Sequence, residues 1–242
     1  MIQNRPLCHL KISSGSMNEI MTYVASRIDD NQKSYVMPLN LSKYIVSKKD
    51  FKLRKSILSA DLVISDGVPI VWLSRRLGYC DVSRITGIDL AEAMLSLSKK
   101  QGWRIFLLGG SAINLNRVIN NLNERFSDPC VVGYHHGYFP ESDIHKVIDV
   151  INGSDSDILL LGLGMPQKEY LIHDYLHRIE VRFCLPVGGA FDVWAGVKGR
   201  TPQVLQRMGV EWLYRSIYDR TRALCIARYG LPFLRDLLFC TE

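Results

Sequence analysis

Residues 157–169 read DILLLGLGMPQKE. The unbroken apolar run from Ile158 to Leu161 has no polar alternation, which is the pattern of a strand buried on both faces, as in a parallel sheet. Gly162, Gly164 and Pro166 punctuate the run, and from Gln167 onward polar and apolar residues mix at a helical period. A buried strand, a glycine turn and a helix in close succession form the first part of a strand-helix-strand unit.

The same order recurs on both sides of this stretch. Further strand candidates are SYVMP (34–38), DLVIS (61–65), RIFLLGG (104–110), CVVGYH (130–135) and FCLPVGG (183–189); helical patterns fall at 17–28, 42–58, 88–100, 114–126, 142–151 and 167–178. This alternation predicts an α/β protein with a Rossmann-like parallel sheet covered by helices, joined by right-handed crossovers. No internal repeat or Gly/Ser linker interrupts it.

A chain of 242 residues, 47% hydrophobic and 22% charged, forms one large domain or one domain with an appendage, and excludes wholly disordered, collagenous and small disulfide-stapled classes. The N-terminus MIQNRPLCHLKISSGS lacks an apolar signal core, and no apolar run approaches the roughly 18 residues of a membrane span, which argues against secretion and membrane spanning. The six cysteines are widely spaced and never form CxxC, so neither a zinc knuckle nor a redox motif is present, and reduced thiols in a cytosolic compartment are expected.

From Lys198 the character changes. Lys198 and seven arginines stand against Glu211, Asp219, Asp236 and Glu242, a surplus of +4 in a chain whose total is +6. The predicted division is therefore a domain over 1–197 and a basic helical appendage over 198–242. Within the appendage a helix start at Pro202, a break near Gly209, a long helix over 210–229 and an end at Gly230 and Pro232 are expected. Arg215 and Arg222 share a helical face, with Trp212, Leu213, Tyr214, Ile217 and Leu224 supplying apolar surface around it.

Several strand candidates end in glycine or Asp-Gly: Ser65-Asp66-Gly67, Leu108-Gly109-Gly110, Gly162-Leu163-Gly164 and Val187-Gly188-Gly189-Ala190. Ligands of open α/β sheets settle outside the carboxyl ends of the strands, where glycine lets backbone N–H groups approach a phosphate. A nucleotide-type ligand is the default expectation; tight turns and close packing explain the same glycines equally well. Asp66, projecting at that edge, suits a general base, although Asp-Gly is also a favoured turn dipeptide. Asp61, on the approach to the same strand, is the weaker candidate. The arginines suit a diphosphate, a solvated helix face or an anionic membrane surface. His173 and His177 lack the further ligands a metal needs and are read as structural; His136 is placed at the crevice without a role.

Taken in order, ADLVISDGVPIVWLSRRLG, RITGIDL, IFLLGG, VVGYHHGYF, DILLLGLGMPQKE, PVGGAFDVWAGVKGRTP and GVEWLYR resemble the WecG/TagA/CpsF family of bacterial glycosyltransferases, over about residues 36–229. The resemblance implies transfer of an N-acetylmannosamine-type sugar from a UDP-sugar to a polyprenyl-diphosphate-linked saccharide. Transfer inverts the anomeric centre, with no metal and no cofactor. It implies Asp66 as the base and Arg84, Thr86 and Asp89 at the same crevice. Gly109, Gly110, Gly162, Gly164, Pro166, Glu169, Gly188, Gly189 and Asp192 would form the nucleotide-sugar pocket. Arg215, Arg222 and Arg228 would approach the diphosphate from the appendage.

The chain departs from the family pattern in places. Pro38-Leu39-Asn40 keeps the asparagine of the usual TxN element and loses its threonine hydroxyl. Lys168 replaces a glutamine, exchanging an amide for a group that only donates, a change that bears on donor identity. Arg220 stands where proline is common and Ala227 where arginine is common. The expected protein is cytoplasmic and peripheral on the inner face of the cell membrane, held at its anionic surface by the appendage, acts in cell-surface polysaccharide assembly and has no nucleic-acid partner. Monomer and homo-oligomer both fit. Rival readings are a hexosyltransferase using UDP-glucose, an NAD-dependent dehydrogenase, for which a clean GxGxxG is missing, and a non-enzymatic RNA- or membrane-binding module.

Overall fold

A computed structural model describes residues 2–199 and 220–239, with the backbone alone described over 220–227. Six parallel strands form the main sheet: β3 (Ser34–Leu39), β4 (Leu62–Ser65), β5 (Ile105–Gly109), β6 (Val131–His135), β7 (Ile158–Gly162) and β8 (Phe183–Pro186). Their order is β4-β3-β8-β7-β5-β6. All six had been legible in the sequence. A short antiparallel hairpin of β1 (Asn4–Leu7) and β2 (Leu10–Ser13), which the sequence reading left unassigned, packs beside β4.

The sheet separates two apolar layers, and strand alternation assigns each side chain to one of them. Tyr35, Met37, Val63, Phe106, Leu108, Leu159, Leu161 and Cys184 face one layer, while Val36, Ile64, Ile105, Leu107, Ile158, Leu160, Phe183 and Leu185 face the other. Burial on both faces is why these strands carry continuous apolar runs. The second layer is covered by α1 (Met17–Asp29), α5 (Gly87–Gln101), α6 (Ala112–Phe126) and α9 (Ala190–Trp194). The first is covered by α2 (Leu41–Val46), α3 (Phe51–Ser59), α4 (Val68–Arg76), α7 (Ile144–Gly153), α8 (Gln167–Tyr175) and α10 (Arg220–Phe239).

Local chemistry sets the helix ends. Ser16 and Glu19 form a capping box on α1, Thr86 caps α5 and Ser111 caps α6, each such cap worth about 1 kcal/mol. The single helix expected over 42–58 is instead two. Asp50 accepts from Leu53 N and starts α3, while Arg54 donates to the carbonyls of Ser47 and Lys48 and so satisfies the end of α2. The helix expected over 142–151 opens with a tight turn at Glu141–Asp143 before α7 begins. β6 is an edge strand with alternating exposure, unlike its buried neighbours.

The expected break at Gly230 and Pro232 is also overturned. α10 runs through both residues to Phe239. Proline removes one helical hydrogen bond, but tertiary contacts hold the helix: Phe233 is buried against the first layer, and Asp236 accepts from the Tyr44 hydroxyl at 2.8 Å and pairs with Lys48. The residues expected to start and break an earlier helix, Pro202 and Gly209, lie outside the described residues.

The thiol expectation holds for Cys80, Cys130 and Cys184, which are free, but not for Cys8, which is disulfide-bonded; separation in sequence does not report proximity in space. Among the described residues no helix is long and apolar enough to cross a membrane.

Candidate active site

The carboxyl ends of the strands bring the chemistry-bearing residues together. Leu39 pairs with Ser65 in register, so Asn40 and Asp66 leave the sheet side by side, and Asp66 N donates to Leu39 O at 2.9 Å. Gly67, at φ 137°, permits the sharp bend that follows into α4. On the outer side of β4, Arg84 forms a parallel bridge with Ser65, and Ile85 N donates to Ser65 O at 3.0 Å. The segment of Arg84 thus prolongs the sheet edge next to Asp66. Asp61 lies at the opposite end of β4, where its carboxylate accepts from Tyr35 N at 2.9 Å.

Two of the predicted crevice groups are committed to a helix cap. Thr86 donates to Asp89 Oδ2 at 2.6 Å and accepts from Asp89 N at 3.1 Å, fixing the start of α5. The Asn40 side-chain oxygen likewise accepts from Lys43 N at 3.0 Å and starts α2. These bonds fix where the strand-to-helix turns leave the sheet.

The glycines divide into two kinds. A methyl on Gly109 would lie 2.5 Å from the Gly162 carbonyl carbon, one on Gly162 would lie 2.6 Å from the Phe191 ring, and one on Gly137 would lie 2.5 Å from Leu163. These positions hold glycine because β5, β7, Phe191 and the loop after β6 pack in contact. Gly110 belongs with them, 3.4 Å from the Phe191 ring by the same measure. Gly189, in contrast, is exposed with nothing near its missing side chain, and Gly188 adopts φ 54° beside it. The turn after β8 is where backbone lies open to a ligand. Gly164 is exposed in the turn after β7, and Met165-Pro166 is a cis peptide.

Beneath that turn lies a buried ion cluster. Glu169 is fully buried, with Oε1 2.9 Å from the Lys43 ammonium and 3.0 Å from that of Lys168. Burial pushes the Glu169 carboxyl up, but Lys43 and then Lys168 outweigh it and hold it below the usual range. Lys168, itself 4% exposed, is pushed down to about 8, first by burial and then by the like charge of Lys43, against the pull of Glu169 and Asp66. Lys43, Glu169 and Lys168 therefore form one electrostatic unit. Lys43 escaped the sequence reading; its one signal is the position three residues after a capping asparagine.

The remaining predicted residues are more dispersed. His135 Nδ1 lies 2.7 Å from the His136 carbonyl oxygen, and His136 Nδ1 is buried without a hydrogen-bond partner among the described residues. Asp192 pairs with Lys198 at 2.7 Å in the turn after α9. Arg228 is exposed, with its guanidinium 5.8 Å from the Tyr229 ring centroid. Arg222 lies in α10, where only its backbone is described, and Arg215 lies outside the described residues. Among the described residues no three His, Cys, Asp or Glu side chains converge as a metal would require.

A six-stranded parallel sheet with a carboxylate, two buried lysines and an exposed glycine turn at its carboxyl edge has the α/β architecture in which ligands commonly bind at the strand ends. The chain belongs to the glycosyl transferase WecG/TagA/CpsF family, which it matches over residues 5–240, and is a glycosyltransferase. It is 26% identical over 238 residues to an N-acetylglucosaminyldiphosphoundecaprenol N-acetyl-beta-D-mannosaminyltransferase of Bacillus spizizenii, covering 97% of this chain and 92% of that protein. A protein of the same description from Bacillus subtilis is 26% identical over 239 residues, covering 97% and 93%.

Proposed function

We propose that the chain transfers an N-acetylmannosamine-type sugar from a UDP-sugar to a polyprenyl-diphosphate-linked saccharide in cell-surface polysaccharide assembly, with inversion and without a metal. The observation that carries this reading is Asp66, set at the strand edge beside Asn40 with Arg84 bridged to the same strand end. The names of the two Bacillus relatives supply the sugar and the lipid-linked acceptor.

In this reaction Asp66 takes the proton of the acceptor hydroxyl as its oxygen attacks the anomeric carbon from the face opposite the diphosphate. The bond between that carbon and the phosphate oxygen breaks, and its electron pair leaves with UDP. Cationic groups stabilise the charge that develops on the leaving diphosphate. Arg84 from the sheet edge and Arg215, Arg222 and Arg228 from the appendage are assigned that work, and the Gly188-Gly189 turn is assigned to the donor.

The proposed division is a catalytic domain over 1–197 and an appendage over 198–242 that rests on an anionic membrane surface. The outward face of α10 supports this: Leu231, Leu234, Leu238 and Phe239 are all exposed there, with Arg228 and Arg235 alongside, as on helices that lie in a membrane interface. Incubation with a panel of UDP-sugars and a short-chain polyprenyl-diphosphate acceptor, followed by mass analysis of the lipid, tests the reading. Addition of an N-acetylhexosamine is expected. Addition of a plain hexose would reassign the donor to UDP-glucose, and no addition from any donor would overturn the reading.

A further inference from the structure

The two lysines on Glu169 are not equivalent. An ammonium has three N–H donors. Lys43 donates to the Pro38 carbonyl at 2.7 Å and reaches Met37 Sδ at 3.6 Å in addition to its ion pair with Glu169, so its donors are all engaged. Lys168, buried to the same degree, has Glu169 as its one partner among the described residues, 3.3 Å from Oε2 and 3.0 Å from Oε1. Buried donors are normally satisfied, and those of Lys168 reach a single carboxylate with one donor to spare.

Its surroundings indicate what would satisfy them. A methyl on Gly188 would lie 3.7 Å from Lys168 Cε and 4.0 Å from Nζ, so the ammonium stands directly under the glycine turn after β8. Glu169 on α8, Lys43 on α2 and Asp66 after β4 are the charged groups facing it. The buried cluster of Lys43, Glu169 and Lys168 carries one net positive charge, and Gly188 above it is followed directly by the exposed Gly189.

We propose that Lys168 binds the pyrophosphate of the nucleotide donor through its spare N–H donor, while Lys43 neutralises Glu169 and leaves the second ammonium available to the ligand. The proposal rests on the reading of this crevice as a nucleotide-sugar site. It makes the lysine a built-in counter-charge for the diphosphate, where a glutamine at the same place would offer a neutral amide. Because burial and Lys43 bring Lys168 to about 8, this contact is strongest below that pH and fades as the ammonium loses its proton above it.

Calorimetric titration of the full chain with UDP, and in parallel with uridine, tests this without turnover. Wild-type affinity for UDP is expected to fall as pH is raised from 7 to 9.5 more steeply than affinity for uridine, which subtracts ionisation of the base. Lys168→Met and Lys168→Gln are each expected to weaken UDP binding about tenfold at pH 7, as loss of a charge-assisted bond does, to leave uridine binding unchanged and to flatten the pH response. Variants that bind UDP as the wild type does, or that lose UDP and uridine equally, would overturn the role of Lys168 while leaving the donor reading intact. A parallel pH response of UDP and uridine in the wild type would do the same without relying on any variant. A wild-type chain that binds neither compound would overturn the donor reading itself, and the proposal with it.

Discussion

The Tyr44 hydroxyl donates to Asp236 at 2.8 Å, joining residues 192 positions apart in the chain. Tyr44 lies on α2, which starts at Asn40 beside Asp66, and its ring meets Phe233 of α10 edge-on at 6.0 Å. The end of α10 is therefore registered against the helix that leaves the carboxyl edge of the sheet. Removing the Phe233 ring from this contact by Phe233→Ala is expected to cost about 3–5 kcal/mol at the α10 interface. Trypsin should then cleave the tail faster while the residues before 199 stay protected; an unchanged digestion pattern would count against the docking.

Asp66→Asn removes basicity but little volume. Transfer to a lipid-linked acceptor should fall by about 10²–10⁴, with UDP affinity and thermal stability close to wild type. Full turnover by the purified variant would remove Asp66 from the chemistry.

Glu169→Gln removes the counter-charge that the buried Lys43 and Lys168 share. Breaking a buried ionic group in this way is expected to lower stability by about 3–5 kcal/mol, measured by denaturant unfolding, and a double variant that also carries Lys43→Met should recover part of the loss. A single variant as stable as the parent would show that the cluster is not held by its charge.

His9 packs on Tyr44 with ring centroids 4.8 Å apart and shares a 2.9 Å hydrogen bond with Ser47. Burial, then the charges of Arg54 and Lys48, push it down to about 4, against an ordinary value of 6.5. The unfolded chain then binds the proton first as pH falls, so stability is complete above about pH 6.5 and declines toward pH 4. Melting temperatures between pH 7.5 and 4.5 should drop more steeply for the wild type than for His9→Gln. Parallel curves would exclude His9 as the source.

On the outward face of α10, replacement of Leu231, Leu234 and Leu238 by serine should reduce cosedimentation with anionic liposomes and leave the fold unchanged, because all three side chains are exposed. Retention of full liposome binding would move the membrane contact elsewhere.

The six main strands and the turns at their carboxyl ends were legible because local pattern encodes them. A strand such as Ile158–Gly162 is apolar at every position since both of its faces are covered, and the Asp66-Gly67 and Gly188-Gly189 turns mark where strands stop. The family resemblance was carried by the same punctuated edges. By itself the amino-acid order thus determined the fold class, the glycine-rich carboxyl end of the sheet and the carboxylate set there. What only the tertiary structure decided is partnership between distant residues. Strand order brings β8 between β3 and β7, so that Lys43 and Lys168 meet on one Glu169. Contact with Phe191 separates the glycines kept for packing from those left open. Burial of Phe233 with the Asp236 contacts carries α10 past Gly230 and Pro232. Each of these depends on long-range packing and on which buried charges find a counter-ion, free energies to which no local window of sequence has access.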